Sequence, residues 1–347
     1  MLIIQANECM RAAAFEKYGI ENLNIREDIK QPEPTDHDIL IRVRSAGVNP
    51  IDYFIVSGSR EIKSQSPHIP GAEITGIVQR IGKHVTSLNE GDRVAVYSRI
   101  FDGTCDMCLN GLEMLCRNGG IVGVVTNGGF VEYIAVPERN AFKITDDTEW
   151  DVAASLAVAT ITPYHALKEA SLKLNEYLVI FGASGNTGLM AIQFGNKMGA
   201  KVIAVSNDNW IRDFGVQNVI SDYSKVVEKV TEFTQGKMAD VVLNSLGIET
   251  WDSSLAVVGI NGRLVTFGGL TGADVKLNVQ SLYSKQIKLI GSTGGSRKEF
   301  KDLVDMSGEL KVKVWKRFKL DNAKEALQEL FSKERQGRIL LDIDNTI

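Results

Sequence analysis

Residues 177–206, YLVIFGASGNTGLMAIQFGNKMGAKVIAVS, constrain the fold more than any other stretch of this chain. The apolar run 178–181 reads as a buried parallel strand. It breaks into Gly182, Ala183, Ser184, Gly185, Asn186, Thr187 and Gly188. Apolar residues at helical spacing follow (Leu189, Ile192, Met198), up to Gly199. A second strand over 201–205 completes a β-α-β unit. Gly185 lets a pyrophosphate approach the backbone, and Gly188 lets helix and strand pack closely. The helix N-terminus offers N–H groups and partial positive charge to an anion. Strand, loop, helix and strand in this order point to dinucleotide binding.

A chain of 347 residues suggests two domains. Up to about residue 143 it is strand-rich. Residues 39–44 alternate apolar and charged, as a half-buried strand does. Further strands are predicted over 74–81, 93–97 and 128–136, with Glu90-Gly91-Asp92 as a turn, which together suggest a barrel-like β domain. Residues 1–9 read as an extension before the regular pattern. From Trp150 the pattern changes. Helices are predicted over 151–156 and 163–170, and β and α segments then alternate to about Gly291, with strands over 240–244 and 263–268. That alternation means a doubly wound parallel sheet. Helices over 298–307 and 323–333 and strands over 312–320 and 338–343 follow, the last strand returning to the first domain.

The net charge of −4 argues against a large basic nucleic-acid surface. No apolar run approaches the roughly 20 residues of a membrane span. The N-terminal residues lack the basic n-region of a signal peptide, so a cytoplasmic chain is expected. Three of the four cysteines, Cys105, Cys108 and Cys116, cluster at metal-like spacing, which points to a reducing compartment.

Along nearly its whole length the chain resembles the medium-chain dehydrogenase/reductase superfamily. The resemblance is carried by 46–52 (AGVNPID), 70–73 (PGAE), 90–94 (EGDRV), 162–167 (TPYHAL), the glycine loop and 337–341 (GRILL). It implies an α/β protein with a chaperonin-10-like (GroES-like) β-barrel catalytic domain, residues 1–155 and 296–347. A Rossmann doubly wound parallel-sheet domain, residues 156–295, is inserted into it. Cofactor contacts are expected from Thr162, the loop residues Gly182 to Gly188, Ser206, Asn207, Arg212, Asn244, Ser245, Phe267, Gly268, Gly269 and Arg297. Arg297 either reaches a phosphate or ties the domains together.

Departures from the pattern indicate the branch. Where the zinc alcohol dehydrogenases of this superfamily carry three catalytic-zinc ligands, this sequence has Asn49, Ala72 and Val158. Ile51 replaces their proton-relay hydroxyl. A catalytic zinc needs three protein ligands and an open position, which Glu73 alone does not provide. Without that Lewis acid, simple alcohol oxidation is disfavoured. The Asn49-Pro50-x-Asp52 form matches the quinone-oxidoreductase and enoyl-reductase branch. The expected catalytic residues are Asn49, as an amide donor to the developing oxyanion, and Tyr53, as a phenolic donor or else a packed aromatic. His68 reads as a solvated loop histidine or one that reaches the active-site cleft.

Cys105, Cys108 and Cys116 match the last three ligands of the superfamily's structural-zinc lobe, and Asp102 stands where its first cysteine would be. An Asp-Cys₃ set makes a closed tetrahedral site. After the second strand, Ser206 and Asn207 carry no charge and Arg212 follows. This favours NADPH over NADH, with Asp208 as the counter-signal. The sequence thus reads as an NADPH-dependent reductase of a quinone, enone or enoyl thioester, with one structural zinc and no catalytic zinc. The alternatives are an alcohol or sugar dehydrogenase and a low-turnover NADPH-binding protein. In the superfamily the strand over 286–290 pairs with its twin, implying a homodimer or homotetramer.

Overall fold

The computed structural model describes residues 9–62 and 66–344. The chain divides into two compact units, one formed by Met1–Val158 with Ser296–Ile347 and one by Ala159–Gly295.

The first unit is built around the strand Asp38–Gly47. It pairs antiparallel with Glu73–Ile81 on one side. On its other side lie Tyr133–Pro137 near one end and Arg338–Asp342 near the other. The seven-stranded sheet continues through Val314–Lys319 at one edge and through Arg93–Val96 and Ala141–Lys143 at the other. Alternation is the cause: Ile39, Ile41 and Val43 face a core that also takes in Ile74, Phe130, Ile339 and Leu341, while Arg42 and Arg44 stay partly exposed. The predicted return of the last strand holds. The strand predicted over 128–136 is shorter, beginning at Tyr133. Residues 128–130 instead bond as a loop to Ile69, Gly71 and Pro70. A Cβ on Gly128 would lie 2.5 Å from the Gly71 oxygen, so this close approach requires glycine.

The second unit is a six-stranded sheet in the order Asn218–Ile220, Lys201–Val205, Tyr177–Phe181, Ala239–Asn244, Val258–Thr266, Lys288–Gly291. Every pairing is parallel. The central strands are apolar runs because both faces are covered: Val179, Ile203, Val242 and Leu243 have no exposed surface. The helix predicted over 151–156 is split into Trp150–Ala153 and a π-helical stretch, Leu156–Thr160. Among the described residues no helix is long and apolar enough to cross a membrane. The expectation about residues 1–9 falls almost wholly outside the described residues.

Candidate functional site

Three centres carry the residues singled out by the sequence. The first is the carboxyl edge of the parallel sheet. Gly182 leaves the strand with φ +68°, and the helix Asn186–Lys197 starts on Gly185 with no side-chain cap. A Cβ on Gly188 would lie 2.3 Å from the Gly182 oxygen and 2.7 Å from the Ala183 Cα, both backbone atoms. Only glycine lets this helix sit so close to the turn. At Gly185 the nearest atom to such a Cβ is the Gly182 oxygen at 3.2 Å, a much milder conflict than at Gly188. An open helix N-terminus behind a glycine turn fits a dinucleotide pyrophosphate, which Gly182, Ala183, Ser184, Gly185, Asn186, Thr187 and Gly188 would hold.

The register Phe181↔Val205 puts Ser206 beside the loop. Ser206 is buried and its hydroxyl accepts from the Asp208 N–H, whereas Asn207 is exposed. Arg212 is exposed on the short helix Asn209–Phe214 and donates to the Gln217 carbonyl. Asn244 is buried and caps its own turn, accepting from the Leu246 and Gly247 N–H groups and donating to the Ser254 hydroxyl. Its amide therefore shapes the loop that carries Ser245. Thr266, Phe267, Gly268 and Gly269 line a cavity of about 490 Å³ together with Trp251 and Ser292, within the size range of ligand sites. Thr162 lies on the helix Ile161–Glu169 of the same unit. Arg297 belongs to the first unit, where its Nε donates to the Arg139 carbonyl and its guanidinium lies 4.9 Å over the Phe142 ring. These side-chain contacts of Arg297 are with its own unit.

The second centre is a buried polar cluster in the first unit: Asn49, Asp52, Glu73 and Arg338, none more than 1% exposed. Asn49 begins the helix Pro50–Ser57, and the Asp52 carboxylate accepts from the Asn49 and Ala72 N–H groups at 2.8 and 3.0 Å. Burial pushes the Asp52 carboxyl up to about 7, against the pull of those two donors. Glu73 is engaged at both oxygens. Oε1 accepts from the Val158 N–H at 2.7 Å. Oε2 accepts from the Asn49 amide at 3.0 Å and from the Arg338 guanidinium. Arg338 also donates to Asn49 Oδ1 at 3.0 Å and to the Ala154 carbonyl at 3.3 Å. Gly47 is glycine for the same reason: its Cβ would overlap the guanidinium at 2.1 Å.

This geometry corrects the catalytic role expected of Asn49. Its amide hydrogens are committed to Glu73 and to the Gly47 carbonyl, 3.1 Å away, so they do not serve a substrate oxygen. Tyr53 packs on the barrel core, edge-on to Phe331 at 4.7 Å, in the manner of a packed aromatic. His68 is not a solvated histidine. It is fully buried, its Nε2 lies 2.7 Å from the Gly123 carbonyl oxygen, and burial holds its imidazole below the usual range. Sequence reasoning missed Arg338 as a site residue. The available signal was an arginine inside the otherwise apolar final strand, since arginine is almost never buried unless paired.

The third centre is the cysteine lobe. Asp102, Cys105, Cys108 and Cys116 place one ligand atom each within 4.8 Å of one another. Among the described residues no other cluster of three or more His, Cys, Asp or Glu side chains is arranged to hold a metal. The Cys105 sulfur lies 3.6 Å from that of Cys108 and 3.9 Å from that of Cys116. Zn–S bonds of about 2.3 Å in a tetrahedron put sulfurs about 3.8 Å apart, so the set fits zinc. Backbone N–H groups of Cys108 and Arg117 pull the Cys105 thiol down. N–H groups of Cys105 and Thr104, with Asn118, hold the Asp102 carboxyl well below the usual carboxylate range. Both effects favour the anionic forms that bind metal. We expect elemental analysis to find one zinc per chain. Cys108→Ser should lower thermal stability more than turnover per folded molecule, and an equal loss of both would count against a structural role.

The alcohol dehydrogenase GroES-like domain family matches residues 35–146, and the zinc-binding dehydrogenase family matches residues 187–309. An NAD-dependent alcohol dehydrogenase of Sulfolobus acidocaldarius is 31% identical, covering 96% of this chain and 100% of that protein. Human quinone oxidoreductase is 26% identical over 84% of this chain and 83% of its own length. The solved structure of a thermostable alcohol dehydrogenase from Pyrobaculum aerophilum superimposes with a TM-score of 0.89 at 38% identity, covering 96% of this chain and 99% of that one. The chain belongs to the medium-chain dehydrogenase/reductase superfamily, and its two units are the GroES-like and Rossmann-type folds of that superfamily. It is an oxidoreductase by that membership.

Proposed function

We propose that this oxidoreductase is an NADPH-dependent reductase of quinones or carbonyl-conjugated alkenes that uses no catalytic metal. The observation that carries the reading is the state of Glu73, whose two oxygens are taken by Val158, Asn49 and Arg338. No ligand set for an alcohol-activating metal remains there, and an alkoxide oxygen has nothing to lower its pKa. Quinones and enones accept hydride without prior deprotonation, so positioning and exclusion of water suffice. The bound nicotinamide would supply the hydride. The glycine loop would hold its pyrophosphate, and the strand-end turns at Ser245 and Phe267 would shape the cavity beside it.

Ser206 and Asn207 leave a 2′-phosphate unopposed, and the exposed Arg212 can meet it. NADPH should bind more tightly than NADH, and Arg212→Ala should weaken NADPH by about tenfold, the weight of one charge-assisted contact, while barely changing NADH. Equal binding of the two cofactors in a fluorescence titration would overturn this. NADPH oxidation with a panel of quinones and enones tests the reaction itself. Alcohol-dependent NADP reduction would favour the second reading, alcohol dehydrogenase, which the Pyrobaculum and Sulfolobus relatives support. Binding without turnover would favour the NADPH-binding role. The reading includes a homodimer or homotetramer formed through the open edge strand Lys288–Gly291, where Leu289 is 41% exposed, with Tyr283 and Val279 of the preceding helix Val279–Lys285 69% and 64% exposed.

A further inference from the structure

The resemblance to the zinc alcohol dehydrogenases implies a catalytic metal at the positions of Asn49, Ala72 and Val158. The residues present do not fit one. Asn49 Oδ1 accepts from Arg338, both Glu73 oxygens are occupied, and both Asp52 oxygens accept backbone N–H groups. Ala72 and Val158 contribute no side-chain donor. The Arg338 guanidinium, 1% exposed, already supplies the counter-charge of Glu73.

We infer that the Glu73–Arg338–Asn49 cluster takes the place of the metal as a clamp. A zinc ion at that position would tie three separate chain segments together through coordinate bonds. Here one carboxylate ties the same three. Glu73 belongs to the segment after Ala72, and it bonds the Asn49 side chain and the Val158 backbone. The segment order is preserved and the sign of the charge is inverted: an anion sits at the centre and a cation is its counter-ion. Arg338, from the strand Arg338–Asp342, closes the cluster and brings in Ala154 as a fourth attachment. A planar guanidinium can serve two acceptors at once where a lysine ammonium would act as a point charge. The clamp deepens the metal-free reading proposed above and rests on it for its catalytic meaning, but its existence is testable without any substrate.

The first test is metal content. Holoenzyme and Glu73→Gln protein are dialysed against excess Co²⁺, and bound metal per chain is measured. The clamp predicts no difference between the two, because Glu73 holds no metal. A wild-type protein that retains one more equivalent than Glu73→Gln would overturn it. The second test is thermal melting of Glu73→Gln, Arg338→Met and the double variant. Each single variant leaves one member of the buried ion pair without its counter-charge, while the double variant removes both members. The double variant should therefore regain at least half of the summed loss in melting temperature. Additive losses would overturn the clamp. Neither outcome depends on which substrate is reduced, so failure of the reductase reading leaves this inference standing, and the reverse is also true.

Discussion

Arg338→Ala should destabilise the first unit by about 3–5 kcal/mol, the usual effect of removing one partner of a buried ion pair. Glu73 has no exposed surface, and its contacts to Asn49 and to the Val158 N–H are with uncharged donors. The space freed by the guanidinium adds a cavity term in the same direction. Arg338→Lys should recover only part of the loss, because one ammonium does not reproduce the fork that serves Glu73 and Asn49 together. Urea unfolding followed by tryptophan fluorescence measures this. A loss below about 1 kcal/mol, the level of an exposed ion pair, would show that the pair contributes no more than a surface one.

The glycine loop gives the second large effect, and its two glycines should separate. Gly188→Ala drives a Cβ into backbone atoms at 2.3 and 2.7 Å, which no side-chain rotation relieves. It should cost about 1–3 kcal/mol of stability in the second unit through forced backbone shifts, and it should weaken dinucleotide binding at least tenfold by displacing the helix N-terminus. Gly185→Ala meets nothing closer than 3.2 Å. It should cost clearly less stability than Gly188→Ala, because a single oxygen has to give by only a few tenths of an ångström. Its effect should fall on cofactor affinity, where the added methyl group stands between backbone and phosphate. Melting curves with and without NADPH distinguish these cases. If Gly185→Ala lost stability but kept affinity, the loop would be a structural turn and not a phosphate cradle.

The contrast between these two sites explains what could be read from the sequence. Every determinant of the glycine loop lies within about one β-α-β unit, so its periodicity and glycine spacing are visible in a short window. The strands Asp38–Gly47 and Glu73–Ile81 were likewise legible through their own alternation. The buried cluster was not, because Arg338 lies 289 residues from Asn49 and 265 from Glu73. No local pattern marks a contact of that range. Asn49 could be recognised as standing at a ligand position, but whether its amide faced a substrate or a carboxylate depended on a strand far along the chain. His68 was misjudged for a similar reason. Its partner Gly123 is on a remote loop, and the edge of Phe15 that covers it lies far upstream. Arg297 looked like part of a cofactor loop because it follows Gly294 and Gly295, yet it starts a helix that belongs to the other unit.

The position of the strand Arg338–Asp342 also sets an order of events during synthesis. It lies inside the seven-stranded sheet, between Val314–Lys319 and Asp38–Gly47, and is not at an edge. Glu73 is translated 265 residues before Arg338. At ~5–20 residues per second the carboxylate waits roughly 13–53 s for its counter-ion. The Rossmann-type unit needs no such wait, because its six strands are contiguous in sequence. For that interval the growing barrel has an unfilled strand position beside residues 45–47, and Glu73 lacks the Arg338 guanidinium. The inserted unit can reach its native pairing first, and the barrel is then completed by a segment that the ribosome delivers late.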